Sequence, residues 1–162
     1  MSYRLASQLS HKIAAIAAVT ALMSETFSYE PSNPVSVLIL NGTEDPLVPY
    51  NGGIIQFLGR THGKVLSTAD TFSFWENHNK CASTNLQVNR FNNIKGDGTR
   101  VKCETYENCQ NNTSVILYTI EGGGHTWPKG FQYLPENVIG RTSQEIDATS
   151  TIWNFFKTHK KL

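Results

Sequence analysis

The sequence is poor in the features that identify most macromolecular partners. Charged residues make up only 17% of the 162, and Lys plus Arg (14) nearly balance Asp plus Glu (13), for a formal net charge of +1. With no basic surplus to neutralise a phosphate backbone, nucleic acid and anionic membranes are not expected as main partners. No apolar run approaches the roughly 20 residues of a membrane-spanning helix, so no membrane partner is expected either. Cysteine is scarce. Cys81, Cys103 and Cys109 form no C-x-x-C pair, and no histidine is spaced to complete a zinc site, which argues against a structural metal. No cofactor is expected. Three cysteines allow one disulfide and one free thiol. The opening residues Met1-Ser2-Tyr3-Arg4-Leu5-Ala6 lack a continuous apolar segment and a cleavage pattern, so they do not read as a signal peptide, and no leader reveals the compartment. N-x-[ST] matches at Asn41, Asn111 and Asn112 carry weight only with eukaryotic secretion.

What is present is a globular composition, 39% hydrophobic and 10% aromatic. A chain of this length is expected to form one domain, residues 1–162, and to bury about two thirds of its unfolded surface. Two apolar runs dominate. Val35-Ser36-Val37-Leu38-Ile39-Leu40 and Val115-Ile116-Leu117-Tyr118-Thr119-Ile120 are apolar at nearly every position, as parallel strands covered on both faces are. The first runs into Asn41-Gly42-Thr43-Glu44-Asp45-Pro46-Leu47-Val48-Pro49, the second into Glu121-Gly122-Gly123-Gly124-His125-Thr126-Trp127-Pro128. Asp45 and His125 therefore sit just past the C-terminal ends of strands, where open α/β sheets bind ligands. Each also has a plainer reading. Asp-Pro opens turns, and a loop histidine can simply bond its neighbours.

The remaining segments fill in a pattern. Residues 1–11 read as a helix, and Ile13–Val19 as a short buried strand, although its small residues suit a helix as well. Residues 20–34 read as a loop and 52–63 as irregular or loosely helical. Ser67 reads as the N-cap of a helix running to about Asn77, its aromatics facing the core. Residues 82–114 read as a hairpin excursion with a turn at Gly96-Asp97-Gly98, bracketed by Cys81 and Cys109, with Cys103 in mid-strand. After His125 comes an aromatic loop, 127–134. Thr142-Ser143-Gln144-Glu145 resembles a capping box, and Asp147 is a second N-cap candidate. The last helix places Ile152, Phe155 and Phe156 on one face and ends in Lys157, Lys160 and Lys161, which suit its dipole. The fold class is thus α/β: about three parallel strands flanked by helices, with an inserted β-hairpin. Asp before His at strand ends is the tail of the α/β-hydrolase order Ser…Asp…His. In that chemistry the histidine relays the nucleophile's proton and the aspartate fixes the imidazole tautomer.

Here the residues resemble a specific family. Asn41–Gly53 is similar to the H/N-G-T-x-D-x-x-V-P-Y-x-G-G segment of polyhydroxybutyrate depolymerase and feruloyl esterase-like hydrolases. Glu121–Pro128 is similar to their G-G-G-H-x-W-P motif. Asp147–Phe156 resembles their closing helix, and Trp75, Cys81, Gly96-Asp97-Gly98 and Cys109 also match. The resemblance implies Asp45 as triad acid, His125 as triad base, Tyr50, Trp127 and Pro128 at the substrate pocket, and a Cys81–Cys109 disulfide. It further implies an ester substrate, acyl or phenolic, no cofactor, and an extracellular or periplasmic setting.

One element of that pattern is missing. The family's nucleophile lies in a G-x-S-x-G elbow just before a helix that resembles residues 1–6, and no G-x-S-x-G occurs in the 162 residues. Ser2 would lie on the helix beyond the elbow. The expectation is a C-terminal portion of an α/β-hydrolase with two of three triad members and no oxyanion hole. Two further expectations follow. The strand near Ile13–Val19 would expose an apolar edge and pair with another copy as a homo-oligomer. The chain alone would not hydrolyse esters by the triad route. The competing reading is an inactive, truncated hydrolase remnant that binds or self-associates. A serine peptidase of related fold is a third, at odds with the Gly-Gly-Gly-His-Thr-Trp-Pro run.

Overall fold

A computed structural model describes residues 1–57, 59–92 and 96–160. The chain is a mixed α/β structure. In order it forms α1 (Ser2–Gln8), β1 (Ala15–Val19), β2 (Ser36–Gly42), β3 (Gly53–Phe57), β4 (Arg60–Val65), α2 (Thr68–His78), β5 (Leu86–Phe91), β6 (Arg100–Tyr106), β7 (Val115–Glu121), α3 (Glu136–Ile139) and α4 (Ala148–Thr158). Among the described residues the main sheet has five strands in the order β1-β2-β7-β6-β5, and β3 and β4 form a separate two-stranded sheet. β1, β2 and β7 are parallel, while β6 and β5 join antiparallel.

The alternation of side chains explains the layering. All seven residues of β2 are buried, because this strand is paired on both edges and covered on both faces. Ile16, Ala18, Val37, Ile39, Val115 and Leu117 point to one face, where they pack with Tyr3 and Ala6 of α1 and Phe72 and Trp75 of α2. Leu38 and Leu40 point to the other, against Ala148 and Phe155 of α4, flanked by Ala15, Ala17, Val19, Ile116 and Tyr118. Full burial of each such aliphatic side chain is worth roughly 1.5–3 kcal/mol. The aromatics of α2 belong to the core. Trp75 is fully buried, stacks near Tyr3 with ring centroids 6.5 Å apart, and meets Phe74 edge-on.

Both long helices start on side-chain caps. Ser67 Oγ accepts the Asp70 N–H at 2.9 Å, and Asp147 Oδ1 accepts the Ser150 N–H at 3.0 Å. Each satisfies one of the donors that a helix N-terminus leaves free. Asn79, fully buried, accepts the Val35 N–H and donates to the Val35 carbonyl, so the end of α2 fixes the approach to β2. Cys81 and Cys109 form a disulfide across a sequence separation of 28, tying the end of α2 to the approach to β7.

Several expectations change. The stretch 52–63, read as irregular or loosely helical, contributes instead to the hairpin of β3 (Gly53–Phe57) and β4 (Arg60–Val65). Its strands are exposed at most positions and carry too little apolar signal to mark them. The 82–114 excursion is no appendage: β6 pairs with β7 along its whole length and extends the sheet. No helix starts at Thr142–Glu145; Ser143 Oγ accepts the Thr99 hydroxyl and the Glu145 N–H, so the would-be capping groups are spent on loop contacts. Lys161 and residues 93–95 of the hairpin lie outside the described residues.

Cys103 is buried on β6. Burial pushes its thiol up, against weaker lowering by hydrogen bonds to Thr105 and Tyr118. We expect no thiol to react in the native chain, one in denaturant, and three after reduction. Replacing Cys81 and Cys109 by serine should lower unfolding free energy by about 3–4 kcal/mol, the loop-closure value for this separation. A denaturant titration measures the loss.

Candidate active site

Asp45 and His125 stand at the C-terminal ends of neighbouring parallel strands, and the loops that carry them are bonded together. The β2–β7 pairing runs out to Gly42 opposite Ile120. Beyond it the Thr43 N–H donates to the Ile120 carbonyl at 3.0 Å and the Glu44 N–H to the Gly123 carbonyl at 2.9 Å. The Gly122 N–H returns to Thr43 Oγ1 at 2.9 Å. The two loops approach so closely that a Cβ on Gly42 would lie 2.2 Å from the Gly123 oxygen. Of the glycines at 122–124, only Gly122 takes a positive φ, 75°. Gly123 and Gly124 are glycine because of crowding. A Cβ on Gly124 would fall 2.2 Å from the Ile139 oxygen.

This stitching brings the two side chains together. His125 Nδ1 lies 2.9 Å from Asp45 Oδ2. The Asp45 side chain is 3% exposed and that of His125 27%. The other carboxylate oxygen, Oδ1, accepts the Leu47 and Val48 N–H groups at 2.8 Å each. A carboxylate only accepts, so Nδ1 carries the proton and the neutral imidazole offers its lone pair at Nε2, the arrangement a general base requires. The histidine backbone is clamped as well. Its N–H donates to the Ile139 carbonyl at 2.6 Å, and its carbonyl accepts the Tyr133 hydroxyl at 3.0 Å.

The residues expected at the pocket lie in different settings. Trp127 is 45% exposed and donates its indole N–H to Thr149 of α4 at 3.0 Å. Pro128 is buried, with its carbonyl near the first N–H of α4. The Tyr50 hydroxyl bonds Thr119 Oγ1 at 2.9 Å. Phe131, Tyr133 and Leu134 of the aromatic loop are exposed. A polar cleft of about 490 Å³ is lined by Glu44, Asn92, Thr99, Arg100 and Glu121 among others.

Several supports were not legible in the sequence. Gln132 donates to the Leu134 and Gly140 carbonyls and accepts the Thr142 N–H, pinning the segment that clamps His125. Asp97 in the β5–β6 turn accepts the Thr99 N–H and hydroxyl and the Gln144 N–H. The partial signal for it was Asp97 between two glycines, which marks a turn but not its distant partner. No group of three or more histidine, cysteine or acidic residues is arranged to hold a metal among the described residues, and no helix there is long and apolar enough to cross a membrane.

No family model matches the chain. It is similar to a protein of Nocardia uniformis subsp. tsuyamanensis named "Putative esterase NocK", with 31% identity over 167 residues covering 96% of this chain and 47% of that protein. It is also similar to feruloyl esterase B of Piromyces equi, with 34% identity over 96 residues covering 59% of this chain and 16% of that protein. The chain therefore spans about half the length of the first relative and a small part of the second.

Partial burial tends to raise the Asp97 carboxyl, but the hydrogen bonds from Gln144 and Thr99 and the charge of Arg141 outweigh it and hold it below the usual carboxylate range. A carboxylate lowered in the folded state stabilises above its unfolded value, about 3.9, and loses that contribution as pH falls through the folded value. Asp97→Asn should therefore melt below the wild type at neutral pH, and the gap should close under acid. Thermal melts at both pH values check this.

Proposed function

We propose that the chain is the acid–base part of a carboxylic-ester hydrolase of the polyhydroxybutyrate depolymerase and feruloyl esterase-like type, on a partial α/β-hydrolase fold. The observation that carries this reading is the 2.9 Å bond between His125 Nδ1 and the buried Asp45 carboxylate at adjacent parallel strand ends. The esterase names of both relatives agree with it. In this reading His125 Nε2 takes the proton of a serine hydroxyl as it attacks the ester carbonyl, then returns it to the leaving alcohol. Asp45 holds the imidazole in the required tautomer and stabilises the imidazolium. The serine and the oxyanion-hole donors are supplied from outside these 162 residues. The exposed aromatics of 127–134 suit an acyl or phenolic acid, and the polar cleft beside Glu44 suits a hydroxyl-bearing alcohol. An extracellular or periplasmic setting fits the Cys81–Cys109 disulfide.

The test is hydrolysis of a short-chain activated ester. The 162-residue chain should run at the buffer rate. A longer polypeptide that includes an elbow serine should be active. In that polypeptide His125→Ala should cost about 10⁶ in turnover and Asp45→Ala about 10⁴. Activity of the 162-residue chain that depends on His125 would mean a substitute nucleophile and would overturn the assignment. Inactivity of the longer polypeptide would favour the non-catalytic alternative.

We further propose that the chain self-associates through β1. Among the described residues its only strand partner is β2, which leaves its outer edge open to pair with another copy. Light scattering at micromolar concentration should give a mass above the 18.1 kDa of one chain; a clean monomer would rule this out.

A further inference from the structure

The segment from β2 to β3 carries Asp45, and its two ends are held by different means. The near end is stitched to the β7 loop through the backbone of Thr43 and Glu44. The far end leads into β3, and there Tyr50 is the anchor. Its hydroxyl reaches Thr119 Oγ1 of β7 at 2.9 Å, and its carbonyl accepts the Thr68 N–H at the start of α2 at 2.9 Å. Thr119 is only 5% exposed and sits opposite Asn41 in the β2–β7 register, next to the strand end that launches the Asp45 loop. Between the two anchors, Leu47 and Val48 aim their N–H groups at Asp45 Oδ1.

We infer that Tyr50 is a positioning residue for the Asp45–His125 pair. Bonded to Thr119, it fixes the far end of the acid loop, so that the Leu47 and Val48 amides hold the carboxylate with Oδ2 turned to His125 Nδ1. This rests on the reading of Asp45 and His125 as acid and base. Tyr50 acts through the loop and not on substrate, because its hydroxyl is engaged with Thr119. The hydroxyl matters beyond its own bond, since removing it strips a partner from a buried Thr119 oxygen, and an unsatisfied buried group costs more than the bond itself contributes.

Proton NMR of the 162-residue chain tests this without needing turnover. An imidazole N–H donated to a carboxylate resonates well downfield of the amides. The wild type should show this signal, and Asp45→Ala and His125→Ala should both lose it. In Tyr50→Phe and in Thr119→Val the exchange of that proton with water should rise about tenfold, while Thr119→Ser, which keeps the hydroxyl, should retain wild-type exchange. Unchanged amide signals from β2 and β7 separate this effect from unfolding, and if Tyr50→Phe fails to fold, Thr119→Val decides. Wild-type exchange in both Tyr50→Phe and Thr119→Val would overturn the role of Tyr50 while leaving the pair intact. Absence of the signal from the wild type would remove the pair itself, and the inference with it.

Discussion

The candidate site depends on one constraint: β2 and β7 must stay paired out to Gly42 and Ile120 and then keep their loops in contact. Parallel neighbours bring two C-terminal ends side by side, which no hairpin does. The backbone bonds from Thr43 and Glu44 to Ile120 and Gly123 extend that pairing past the strands, and Gly42 and Gly124 leave the room for it. Within this frame Asp45 performs two tasks with two oxygens. Oδ1 closes its own turn on Leu47 and Val48, and Oδ2 meets His125. The turn-forming aspartate and the partner of His125 are therefore one arrangement, because closing the turn is what aims the second oxygen.

The rest of the molecule supports that frame from several sides. α1 and α2 cover one face of the parallel strands and α4 the other, so β2 has no freedom to shift register. The antiparallel β6 and β5 extend the sheet beyond β7, and their turn is bonded through Asp97, Thr99 and Ser143 to the segment that follows α3. Arg141 in that segment accepts the Gly124 N–H and the Thr126 hydroxyl on either side of His125, while Ile139 at the end of α3 accepts the His125 N–H. Asp97 therefore bears on the histidine indirectly, through a chain of polar contacts running from the hairpin turn into the clamp.

Legibility in the sequence followed the strength of the local physical signal. β2 and β7 were plain, because six-residue runs in which only Ser36 or Thr119 interrupts the apolar residues have few alternatives to a buried strand. The caps at Ser67 and Asp147 were plain because a side-chain oxygen three residues ahead of a free N–H is a local matter. The β3–β4 hairpin was missed because its strands are exposed and carry no alternation of burial. The capping-box pattern at 142–145 misled because Ser143 found a stronger use across the structure, in contact with Thr99. Asp45 and His125 were identifiable as candidates from their places after the two strands, but either residue alone had an ordinary explanation.

The sequence by itself determined the element types of the buried strands and long helices, the absence of a charge surplus, and the two residues with acid–base potential at strand ends. These follow from composition and from patterns within a few residues. Only the tertiary structure decided that Asp45 and His125, 80 positions apart, meet at 2.9 Å, that Cys81 finds Cys109, and that the hairpin joins the main sheet. It also turned Tyr50 inward to Thr119. Each of these depends on which strand lies beside which and on how closely two glycine-bearing loops can approach, and such long-range geometry leaves no trace in local spacing.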